Sequence, residues 1–125
     1  MNYGHSVGHA IEALTNFAFP HGMGISLGVM AENMIAVSAY GLELQHAERI
    51  NKQAMKLIDD AAKSAVAAMD ISNINSVLMK DKKTLGKTLK MAVPISLGDM
   101  QFQDFQLDSA APMTIKSAFE KSGLI

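Results

Sequence analysis

The chain has 125 residues, a net charge of −1, 49% hydrophobic and 18% charged residues, and no cysteine. That length suits one domain with its own core. The balanced charge removes the electrostatic case for a nucleic-acid partner, and the missing cysteine excludes disulfide and thiolate chemistry.

No basic stretch precedes an apolar run, so no signal peptide is expected, and a cytoplasmic protein fits the cysteine-free composition. Ten methionines against 6% aromatic residues predict a core filled by Met and Ala rather than by rings. The first predicted helix covers about Ser6 to Asn16, with Val7, Ala10, Ile11 and Leu14 on one side. Pro20 and Gly22 then break the chain. A second helix runs from about Gly24 to Ala39 and stops at Gly41. Met23 to Leu42 is long enough to be compared with a membrane span, but Glu32, Asn33 and two serines make a buried core helix the better reading, and no membrane partner is expected.

The third helix is predicted to be long, from about Glu43 to Met69, on the helical period of Leu44, Ala47, Ile50, Ala54, Leu57, Ile58, Ala61, Ala65 and Val66. Ser72 is expected to cap a short helix reaching about Lys80. From Lys87 to Val93, and again in "MQFQDFQ", polar and apolar residues alternate, which predicts a small hairpin turning at Gly98-Asp99. A last helix runs from about Met113 to Lys121 and ends at Gly123. The predicted class is all-α, a multi-helix domain with a minor short β element. No internal repeat or linker divides it.

Three of the four histidines, His5, His9 and His21, lie within the first 21 residues. On a helix, His5 and His9 share a face about 6 Å apart along the axis, a spacing that lets two imidazoles reach one metal ion. Gly4 and Gly8 leave room for something to approach the backbone beside them. His21, between Pro20 and Gly22, is placed at a rigid elbow as a ligand from a separate segment. His46 sits among Gln45, Glu48 and Arg49 on a solvated face and is not a candidate. Glu12, seven residues after His5, is placed to orient a liganding histidine, although an ordinary helix carboxylate is the preferred reading. No G-x-G-x-x-G loop is present, and close helix packing accounts for Gly24 and Gly28.

"NYGHSVGHAIE", eleven further residues between His9 and His21, and then "HG" resemble the 3-dehydroquinate synthase family of sugar phosphate cyclases, whose pattern is similar to N-[FYLW]-G-H-[ST]-x-G-H-A-[IV]-E followed by L-H-G-E. "MKDKKTLGKTLKMAVPISLG" is similar to the family's D-K-K…L-P-x-x-I-G stretch. The resemblance corresponds to the carboxy-terminal, helical half of such enzymes. It implies that His5 and His21 bind a catalytic divalent metal, zinc or cobalt. It also implies that His9 handles a proton near the transferred phosphate, that Asn2 binds substrate, and that Lys83, or else Lys82, contacts a substrate anion. Met23 stands where the family usually has Glu.

The reaction so implied is a lyase reaction of the shikimate pathway to aromatic amino acids. A sugar phosphate such as 3-deoxy-arabino-heptulosonate 7-phosphate is cyclised with loss of phosphate, using NAD and the metal. The third metal ligand and the NAD-binding domain belong to the missing amino-terminal half. The isolated chain is therefore expected to be inactive, and a homo-oligomer is expected from the apolar surface that half would cover. Two other readings remain open: the same region of an iron-type alcohol or glycerol dehydrogenase, which "PHG" also fits, and a non-catalytic helical interaction domain.

Overall fold

The computed structural model describes residues 3–81, 84–96 and 99–125. It is mostly helical with one small sheet, as the sequence predicts. The α-helices are α1 (His5–Leu14), α2 (His21–Ala39), α3 (Leu44–Met55), α4 (Asp60–Ala68), α5 (Ile74–Leu78) and α6 (Ala111–Lys121). A 3-10 turn, Ile71–Asn73, leads into α5. The strands β1 (Thr84–Leu85), β2 (Thr88–Ser96) and β3 (Asp99–Gln106) form an antiparallel sheet in the order β1-β2-β3.

Helix α2 is the axis of the fold and packs against α1, α3, α6 and β2. Leu27, Met30, Ala31, Glu32, Asn33 and Ala36 on it are wholly buried. It is long and apolar enough to be a membrane span by length and composition, yet 61% of that window is buried inside the fold. Apolar residues all round its circumference are explained by protein neighbours on several sides. The helix begins at His21 rather than Gly24. Pro20, extended at φ −61° and ψ 151°, stands at its N-cap, so "PHG" is a helix start and not a break.

The predicted third helix is two helices. The chain tightens into i→i+3 bonds, Leu57 N–H to the Ala54 carbonyl and Ile58 N–H to that of Met55. It restarts where Asp59 Oδ1 accepts from the Ala62 amide at 2.8 Å. Across the break Ile58 stays in the core while Leu57 is exposed. Ser72 does not cap α5, whose N-cap residue is Asn73; Asp70 caps the 3-10 turn before it, its Oδ1 accepting from both the amide and the hydroxyl of Ser72. Helix α5 then stops at Leu78, short of Lys80.

In the sheet, Leu89, Met91 and Val93 on one face of β2 are fully buried, and Ala92 and Pro94 on the other are buried as well. Leu89 pairs across to Phe105 of β3, and Lys90 to Asp104. The predicted hairpin is present, with Asp99 opening β3 and Gly98 outside the described residues. The two-residue strand β1 was not predicted; it folds back on β2 about Gly86 at φ +65°. Helix α6 buries Ala111, Ile115, Ala118 and Phe119. It closes at Gly123 (φ +83°), with the Leu124 amide donating to the Phe119 carbonyl at 3.2 Å.

Candidate metal centre

Helices α1 and α2 form an antiparallel pair in which backbone meets backbone. A Cβ on Gly28 would lie 1.9 Å from the Gly4 carbonyl oxygen and 2.6 Å from the Gly8 nitrogen, and one on Gly8 would lie 2.7 Å from the Gly24 oxygen. The glycines beside the histidines therefore admit the neighbouring helix rather than a ligand. Polar side chains of α2 complete the contact. Glu32 accepts from the Gly4 amide at 3.1 Å and the Val7 amide at 3.4 Å, serving the free N–H groups at the start of α1. Tyr3 donates its hydroxyl to Asn33 Oδ1, and Asn33 in turn donates to Asn51 Oδ1 of α3 at 2.9 Å. Burial and the Glu32 carboxylate together push the Tyr3 phenol well above its usual range, so it stays a donor.

This close packing brings His21, on the first turn of α2, beside His5 and His9 on α1. The ring centroids are 5.3 Å apart for His5 and His9, 5.9 Å for His5 and His21, and 5.5 Å for His9 and His21. One ligand-capable nitrogen from each of the three lies within 4.8 Å of the others, with His5 half-buried and the other two exposed. Three imidazoles open to solvent on one side fit a divalent ion of the zinc type, which takes nitrogen ligands and keeps a position free when catalytic.

The rings differ in how they are held. His5 Nδ1 is 3.1 Å from the Tyr3 carbonyl oxygen, and His21 Nδ1 is 2.8 Å from Glu12 Oε1. A carbonyl or carboxylate can only accept, so each Nδ1 carries a proton, and in the neutral ring Nε2 is the nitrogen that offers a lone pair. No hydrogen bond holds either ring nitrogen of His9 among the described residues.

Glu12 corrects an expectation. It is no ordinary helix carboxylate: its residue is 6% exposed, and its partner is His21 rather than a histidine of its own helix. Sequence spacing could not show this, because the partner comes from another helix. Thr15 and Phe17 close the end of α1 just beyond it. The Phe17 amide donates to the Glu12 carbonyl at 2.7 Å, with Asn16 and Phe17 both left-handed at φ 55°. His46 is half-buried rather than solvated and stands apart on α3 beside Gln45 and Arg49. Met23 packs half-buried against the core. Asn2, Lys82 and Lys83 lie outside the described residues.

The family described as "3-dehydroquinate synthase C-terminal" matches residues 1–84. Proteins named 3-dehydroquinate synthase are similar to most of the chain. That of Sulfurisphaera tokodaii is 32% identical over 113 residues, covering 87% of this chain and 31% of its own length. That of Helicobacter pylori is 35% identical over 123 residues, covering 97% and 34%. The chain thus spans about a third of the length of these curated relatives.

Proposed function

This chain belongs to the 3-dehydroquinate synthase family, and on that premise we propose that it is the metal-holding helical part of a phosphate-eliminating sugar phosphate cyclase. The observation that carries the proposal is the unequal support of the three histidines. His5 and His21 each have Nδ1 hydrogen-bonded, which turns Nε2 outward as a metal ligand needs, while neither ring nitrogen of His9 is hydrogen-bonded among the described residues. His5 and His21 are accordingly the ligands of a zinc or cobalt ion, and His9 is the group that exchanges a proton with the departing phosphate, since a ring nitrogen not committed to a hydrogen bond is available for proton transfer.

A divalent ion held there supplies Lewis acidity to a hydroxyl or ketone oxygen of the substrate, and NAD, bound outside this chain, supplies the hydride chemistry. Asn2 and Lys83, with Lys82 as the alternative, are assigned to the substrate, whose carboxylate and phosphate suit a lysine. The chain alone is expected to turn over no sugar phosphate, since it offers no nucleotide-binding loop. The family match sets aside the dehydrogenase reading.

Titration of the chain with Co²⁺, followed by visible absorption, tests the assignment. One ion per chain is expected. His5→Ala and His21→Ala each abolish the spectrum, and His9→Ala keeps it. Equal loss in all three variants would overturn the division of roles. An unaltered wild-type spectrum at saturating Co²⁺ would favour a non-catalytic interaction domain.

A further inference from the structure

We propose that Glu12 is a positioning residue that decides which ring nitrogen of His21 is free, and that position 24 is glycine in order to seat the Glu12 carboxylate. Three observations support this. Glu12 is buried where α1 meets α2, and a buried carboxylate needs a partner. Its Oε1 stands 2.8 Å from His21 Nδ1, across a loop and on another helix. The third is the space around it: a Cβ on Gly24 would lie 2.6 Å from Glu12 Cγ, 2.6 Å from Oε1 and 2.9 Å from Cδ. No side chain at position 24 is compatible with the carboxylate where it is.

The consequence is chemical. Free neutral imidazole prefers its proton on Nε2, the nitrogen that faces away from Glu12. In the neutral ring the carboxylate reverses that preference by accepting from Nδ1–H, which leaves the outward Nε2 as the lone-pair nitrogen, and its negative charge raises the ring's donor strength. His5 reaches the same tautomer through the neutral Tyr3 carbonyl, so the charged support is specific to His21. The consequence for metal affinity rests on His21 being a ligand, as proposed above; the tautomer does not.

Long-range ¹H–¹⁵N correlation of the labelled 125-residue chain, metal-free and with its imidazoles neutral, reads the tautomer directly. The expected wild-type result is Nδ1–H on His21. Glu12→Ala should return it towards Nε2–H while His5 is unchanged. Gly24→Ala should do the same by displacing the carboxylate, and should add nothing in a Glu12→Ala background. A wild-type His21 already in the Nε2–H form, or one indifferent to both substitutions, would overturn the proposal. The isosteric Glu12→Gln keeps the packing volume and should weaken Co²⁺ binding about 10- to 100-fold; unchanged affinity in a chain that binds Co²⁺ would overturn the charged part of the role. Failure of the wild-type chain to bind Co²⁺, with the tautomer as expected, would remove the metal function and leave the positioning role standing.

Discussion

The α1–α2 pair and the β2–β3 hairpin are both antiparallel, yet they are held together by opposite means. Between the helices, glycines bring the two backbones into contact, and buried polar groups (Glu32 on the Gly4 and Val7 amides, Tyr3 on Asn33) fill what remains. In the sheet, a ladder fixes the strand spacing, and the apolar face of β2 does the rest. The outer strand β3 is largely exposed, with Phe102 turned to solvent and Lys90 paired with Asp104 on the surface. A pair built on backbone contact holds its side chains in a narrow range of positions, which is what three converging imidazoles require. The sheet leaves room for change on β3, whose side chains are mostly exposed.

The contrast breaks most sharply at Gly28. A methyl group there meets the Gly4 carbonyl, which cannot move without parting the helices. Gly28→Ala is expected to cost more than about 3 kcal/mol, seen as a lowered urea midpoint together with lost Co²⁺ binding. Normal stability would show that the helices are not in backbone contact. The sheet's counterpart is Met91, fully buried on β2. Met91→Ala should cost about 2–3 kcal/mol through the cavity it leaves, but Co²⁺ affinity measured on the folded protein should be unchanged; altered affinity would mean that the two regions are coupled.

Smaller effects sharpen the boundary. Asp59→Ala removes the cap of α4, far from either contact, and should cost about 1 kcal/mol by chemical denaturation. Leu85, 86% exposed on β1, should accept Ser within about 0.5 kcal/mol. A larger loss there would show that β1 is covered by something outside this chain.

Most of the helices were legible because amphipathic spacing is local. Val7, Ala10, Ile11 and Leu14 mark α1, and Ala111, Ile115, Ala118 and Phe119 mark the inner face of α6. The break before α4 was written in Asp59-Asp60, a cap followed by an acidic first turn, but the unbroken apolar period from Leu44 to Val66 masked it. Strand β1 was hidden for another reason: two residues carry no period, and only their pairing with β2 makes them a strand.

At the site, the residue types and the helical spacing of His5 and His9 made the histidines candidates, because the chemistry of imidazole and the pitch of a helix need no tertiary information, while their separate roles were implied only by the family resemblance. The same local rules placed Glu12 on the helix and left its role ordinary. Close helix packing at Gly24 and Gly28 was legible in the sequence, but which histidine Glu12 serves, which groups the two glycines admit and which rings hold Nδ1 in a hydrogen bond were decided only by the fold. Each depends on the distance between two helices, and that distance is set by the contact of their backbones.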